Sequence, residues 1–275
     1  MREVTSWLVL AIVCLLVASQ TGWAATREFY PPQAGIWLDP SSERHCDSGC
    51  QQQLLASLQR ITGLQQLQIS SVGELKVGDW AATAGGSASA RALLSRALQS
   101  GFAYVVEAHP GSPEVTFGQL DAGVIYESFE DARRLTIWRL RLDLEDFKRV
   151  EAPAPVLASF DVGFAFLHEL LHGLGYDDAA TLDEVGPCEE LINQVRTELS
   201  LPLRAQYYGD VLTITARIFT VKLLFHDPPP ALAEGSSIAG KRTKRRTYQL
   251  FFAPEMGTSY QLLKDTHTNN LLRRR

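Results

Sequence analysis

One stretch constrains this chain more than any other. From Ser159 to about Tyr176 the sequence is apolar on nearly every side, and within it stands Phe166-Leu167-His168-Glu169-Leu170-Leu171-His172-Gly173-Leu174-Gly175. A helix that is apolar all round has to be buried. His168 and His172 then lie one turn apart on the same face with Glu169 beside them, opposite Phe166, Leu167, Leu170 and Leu174. Burying three ionisable groups without partners would cost several kcal/mol, which a bound metal ion relieves. Two imidazoles at this spacing can grip one tetrahedral zinc, and the carboxylate next to them can take a proton from water. Hydrogen bonds from both rings to carbonyls are the plainer alternative.

A zinc site of this kind needs a third protein ligand, and four carboxylates compete for the role. Asp178 follows a glycine at Gly175 that can turn the chain back toward the metal, the spacing of metzincin-type sites. Those sites also carry a methionine turn, and the only methionine after the initiator, Met256, is far downstream. Glu184, Glu189 and Glu190 are the other three. Pro187 suits the first turn of a new helix, which sets Glu189 one turn before Asn193 and gives a carboxylate and an amide on one face. Glu189 is therefore the preferred third ligand.

The run from His168 to Tyr208 resembles the bacterial effector and toxin-type zinc metallopeptidases. Their zinc helix is followed by a glutamate and a helix reading Asn-x-hydrophobic-Arg-x-Glu-Leu-Gly-Leu-Pro-x-Arg-x-x-Tyr. Here the run is Asn193 to Tyr208, with Arg196, Glu198, Pro202, Arg204 and Tyr207 in place. It departs at Ile192, where the pattern has Glu, and at Ser200, where it has Gly. The resemblance implies a zincin-like metallopeptidase fold and cleavage of a protein or peptide substrate. Similarity to clostridial neurotoxin light chains, which carry the same Arg-x-x-Tyr pair, implies that Arg204 and Tyr207 face the metal and steady a developing oxyanion. Arg196 and Glu198 read as structural.

Around this segment the chain is ordinary globular protein. Hydrophobic residues make up 45% and charged residues 21% of 275 positions, and the net charge is −5, which argues against a nucleic-acid-binding surface. Basic residues gather late, in Lys241 to Arg246 and Arg273 to Arg275. Residues 1–25 read as an export signal: Arg2, an apolar run from Trp7 to Ala18 too short for a stable membrane span, then small residues to Ala25. The mature protein is thus expected to be secreted or periplasmic. Cys46 and Cys50 can pair as a disulfide in that setting, leaving Cys188 over.

Helices are expected over Gln51 to Ile61, Ala90 to Gln99 and Pro187 to Leu199, with a further one around Val211 to Phe225. Short β-rich pieces run from Phe102 to Leu144, where Leu140, Leu142 and Leu144 alternate with charged residues. The expectation is an α+β zincin-like domain over 26–230, a small sheet packed on the active-site helix, and a basic tail over 231–275. Its function is expected to be zinc-dependent peptide hydrolysis with Glu169 as general base and acid. A catalytically silent zinc-binding protein serving as an envelope or surface module is the alternative.

Overall fold

The computed structural model describes residues 29–40, 49–112, 115–128, 133–181, 184–207, 209–215, 218–228, 245–252, 260–264 and 270–274. The expected export signal and Cys46 lie outside the described residues. Cys50 is disulfide-bonded, and Cys188 is a free, buried thiol.

Six helices are described: α1 (Gly49–Thr62), α2 (Ala88–Gln99), α3 (Leu144–Lys148), α4 (Ala154–Ser159), α5 (Val162–Gly173) and α6 (Pro187–Glu198). The strands are β1 (Gly35–Leu38), β2 (Leu67–Ile69), β3 (Leu75–Val77), β4 (Ala103–Ala108), β5 (Gly118–Leu120), β6 (Val124–Ser128), β7 (Arg133–Leu142), β8 (Leu203–Arg204), β9 (Asp210–Thr215), β10 (Ile218–His226), β11 (Thr247–Phe252), β12 (Tyr260–Lys264) and β13 (Asn270–Arg274). The fold is α+β.

The main sheet is mixed, in the order β1-β4-β7-β5, with β6 also on β7. β1, β4 and β7 run parallel, whereas β5 and β6 run antiparallel to β7. The alternation read in β7 is what makes the sheet two-faced. Leu140 and Leu142 enter the helix-side core with Tyr104, Val106 and Ile36. Arg139 and Arg141 project the other way and pair with Glu107 and Asp121, each at 2.6 Å.

α5 is the centre of the helix-side core, as its apolar character requires. The stretch Ala154–Gly173 is long and apolar enough to cross a bilayer, yet most of it is buried inside the molecule, and helix α4 ends at Ser159 before α5 begins. Asp161 caps α5 by accepting from the Gly163 and Phe164 amides at 3.1 and 3.2 Å. The same carboxylate takes Ser57 and Arg60 of α1 at 2.6 Å each, so one residue starts α5 and ties its neighbour to it. Two glycines let other elements close in. A methyl at Gly163 would overlap Ser57 and Ile61, and one at Gly173 would overlap the Tyr104 ring. Gly173→Ala should therefore destabilise the protein by about 1–3 kcal/mol through overpacking. A lower denaturant midpoint at unchanged slope would register this; an unshifted midpoint would mean that Tyr104 can move aside.

Two expectations are corrected. The stretch expected as a helix around Val211 to Phe225 is the hairpin β9–β10, and its β-branched and aromatic residues explain the preference. Thr247 to Phe252, placed in the basic tail, is strand β11, paired antiparallel along β10 from Val221 to His226. Every second residue of it is needed inside: Leu250 and Phe252 join Val221, Leu223, Phe225, Phe117 and Val156 in a second core cluster. The packed body therefore runs past residue 230. β12 and β13 form a further antiparallel pair.

Candidate metal centre

The turn after α5 decides how its histidines are used. The helix closes at Gly175, whose φ of +88° lies in the left-handed region, and the Gly175 amide donates to the His172 carbonyl at 3.0 Å. The chain turns back over the helix end. Gly186 packs so closely on the backbone of Asp178 and Ala179 that no side chain would fit there, and the Cys188 amide donates to the Asp177 carbonyl at 3.2 Å. Asp178 is thus clamped between the end of α5 and the start of α6.

Its Oδ1 stands 3.1 Å from Nε2 of His168 and 3.4 Å from Nε2 of His172. The two rings face each other at 79° with centroids 5.0 Å apart. Each ring's other nitrogen is anchored behind: Nδ1 of His168 lies 3.2 Å from Glu189 Oε2, and Nδ1 of His172 lies 2.9 Å from the Tyr176 carbonyl. An acceptor at Nδ1 holds a proton on that nitrogen, so once Nε2 of each ring is deprotonated both lone pairs point at one spot shared with a carboxylate. Cys188 Sγ is 3.5 Å from His172 Nδ1, on the reverse side of that ring. His168, His172, Asp178 and Cys188 form a group close enough to hold a metal ion.

The electrostatics follow from crowding these groups together. Burial alone would lower the pKa of both imidazoles, but carboxylates overrule it: Asp178 and Glu189 raise His168 to about 9, and Asp178, with the Cys188 sulfur, raises His172 to about 10. Asp178, which burial would push up, is held well below the usual carboxylate range by the two rings. Glu169 goes the other way, raised by burial against the pull of both imidazoles and a hydrogen bond from the Leu120 amide.

Glu189 does not sit at the shared spot. It is 2% exposed and occupied by arginines: Arg196 Nη1 donates to Oε1, and Arg204 Nη1 reaches Oε2 at 3.4 Å. Despite burial, these two guanidiniums and His168 hold its carboxyl well below the ordinary value. Glu189 therefore orients the first histidine, while Asp178 faces both. Glu184 and Glu190 are exposed at the surface. Asn193, expected on the Glu189 face, clamps β8 by donating to the Arg204 carbonyl at 2.8 Å and accepting its amide at 2.9 Å.

Tyr207 stacks on His168, ring planes 13° apart and centroids 5.6 Å apart, and its hydroxyl bonds Asp178. Burial and that carboxylate push the phenol well above its usual value, so it keeps its proton. Arg204 turns away from the shared spot. It donates to the Gln206 and Tyr207 carbonyls and to Glu189, and its guanidinium lies over the Tyr207 ring at 5.0 Å. It positions the tyrosine. Arg196, read as structural, is buried with Glu189, and Glu198 accepts from the Ser87 and Ser89 hydroxyls at the start of α2.

Sequence reasoning expected an edge strand of the small sheet to bind extended peptide but did not single out the residues of it that meet Glu169. β5 pairs only with β7 among the described strands, and a Cβ on Gly118 would lie 3.1 Å from Glu169 Cγ. The missing side chain lets the strand lie against the acid. Nothing in the local pattern marks that contact, since it joins residues about 50 positions apart. The chain matches no protein-family model, no curated protein and no solved structure.

Proposed function

We propose that the chain is an exported zinc-dependent endopeptidase of zincin type, with zinc held by His168, His172 and Asp178 and with Glu169 as the proton carrier. One observation carries this reading: two imidazole Nε2 atoms and a carboxylate oxygen converge, each ring braced from behind, with a raised-pKa carboxylate alongside. Imidazole with carboxylate is a donor set that suits zinc. Cys188 meets the wrong nitrogen of His172 for the same ion and serves as packing behind that ring.

Zinc held by these residues would supply Lewis acidity to the attacking water and the scissile carbonyl. Glu169 takes the proton from that water and delivers it to the leaving amine; burial suits it to the task by raising its pKa toward the working range. The Leu120 amide fixes the orientation of its carboxylate. Tyr207, protonated and fixed by stacking on His168, would exchange its hydrogen bond to Asp178 for one to the carbonyl oxygen as charge builds on it. An extended peptide lying beside β5 would bring its scissile bond to the Gly118–Glu169 contact.

The reading is tested by metal content and cleavage together. The wild-type chain should hold one zinc and cut a denatured protein such as casein, and His172→Ala should lose both. Cleavage retained by His172→Ala would refute the assignment; full zinc without any cleavage in the wild type would favour the silent surface module.

Proton release gives a second check. In the metal-free protein both imidazoles keep their protons up to about 9 and about 10, so at pH 7 zinc has to displace them. Zinc uptake should release close to two protons, and affinity should climb by about 100-fold per pH unit near neutrality. Calorimetry in buffers of different ionisation enthalpy reads the number directly. For stability the sign is the reverse. Because the folded pKa values lie above the ordinary 6.5, the rings stabilise the metal-free fold below that pH and lose this contribution as pH rises through about 9 to 10.

A further inference from the structure

Beside the candidate metal centre lies a cavity of about 290 Å³, lined in part by His168, Glu169, Tyr207 and Gly118. The apolar part of its lining comes from elements distant in sequence: Phe117, Phe160 and Phe164, with Val221, Leu223 and Phe252 from the β10–β11 pair. A cavity of roughly 150 Å³ lined by such residues already takes up benzene, so a single aromatic ring has room here.

The wall is rigid. Phe117 packs edge-on against Phe160 and Phe252, centroids 4.9 and 4.7 Å apart, and lies 5.0 Å from Phe147. Its backbone is in the left-handed region at φ 61°, which a bulky residue adopts only under constraint. The constraint is visible: its amide donates to Asp146 at 3.3 Å and its carbonyl accepts from the Asp143 amide at 3.0 Å. That geometry puts the ring into the wall while Gly118, the next residue, lies against Glu169.

Charge decides what fits. Besides His168 and Glu169, the charged groups in the lining are Glu189, Arg196 and Arg204, with both arginines paired to Glu189. A lysine or aspartate entering the cavity would shed its hydration against phenylalanines and find these partners taken. We infer that this cavity is the specificity pocket of the proposed peptidase, receiving one large apolar side chain, aromatic or leucine-like, from the residue flanking the scissile bond. The assignment rests on the peptidase reading, since it is the nearness to Glu169 that makes the pocket selective for a cleavage position.

The test uses zinc-loaded full-length protein and fluorogenic peptides that differ only in the residue beside the scissile bond: Phe, Leu, Ala, Asp or Lys. kcat/KM for the Phe and Leu peptides should exceed that for the other three by at least about tenfold. Leu223→Phe, which adds a ring to the cavity, should lower the ratio of Phe to Ala cleavage by about tenfold. A flat wild-type profile, or a preference for Asp or Lys, would overturn the assignment whether or not the variant folds. Equilibrium binding of the same peptides to zinc-loaded Glu169→Gln separates this claim from the cleavage claim. If the wild type cuts nothing yet the variant holds the Phe peptide at least tenfold more tightly than the Ala peptide, the peptidase reading fails and the apolar pocket stands. Equal binding in that case removes the pocket as well.

Discussion

Glu169→Gln should keep zinc near one per chain and lower kcat for peptide cleavage by about 10²–10⁴-fold, the usual contribution of a positioned proton carrier. The substitution is close to isosteric. A glutamine oxygen can still accept from the Leu120 amide, and its Cγ fits against Gly118 as glutamate does, so structure and metal should survive. What is lost is an ionisable oxygen at a position where burial has raised the pKa. Unchanged turnover would remove Glu169 from the mechanism; lost zinc would mean that the carboxylate holds the site together rather than working in it.

Arg196→Ala should be the most destabilising single change near the site. Arg196 and Glu189 are each 2% exposed, and Arg196 also donates to the Ser159 carbonyl at 2.9 Å, joining α6 to the end of α4. Removing one partner of a buried pair costs about 3–5 kcal/mol because the other charge stays behind. For a chain of this size that lowers the melting temperature by about 6–20 °C. The double variant Glu189→Leu with Arg196→Met restores most of the stability by replacing the pair with apolar volume. It should still bind zinc about 10–100-fold more weakly, because Nδ1 of His168 has lost the carboxylate that turns the ring. Stability and metal affinity that rise together in the double variant would show that Glu189 has no part in orienting His168.

How much of this was legible in the sequence varies with the range of the interaction. The α5 helix, its pair of histidines and the neighbouring glutamate follow from local spacing and apolar content, which fix both burial and face. The return of Asp178 was legible as a possibility, because Gly175 can adopt the left-handed turn that brings the next carboxylate back. Preferring Glu189 instead came from its helical face, and that face does turn toward His168. The helix cannot reveal that two arginines, one of them on β8, neutralise the same carboxylate. Ser200 teaches a smaller lesson. Its φ of 56° is the conformation that glycine adopts most easily, so the departure from the family-like pattern keeps the turn shape at some backbone strain. The C-terminal sheet was the least legible part. Val211 to Phe225 mixes apolar residues without clean alternation, and pairing with Thr247 to Phe252 depends on contacts between segments about 20 or more positions apart in sequence.

The most direct measurement is a crystal structure of the zinc-loaded protein with anomalous data collected at the zinc edge. The account requires one peak about 2.0–2.2 Å from Nε2 of His168, Nε2 of His172 and a carboxylate oxygen of Asp178, with Glu189 still on the Nδ1 side of His168. A peak bonded to Glu189 or Cys188 in place of Asp178, or no peak between the two rings, would contradict it.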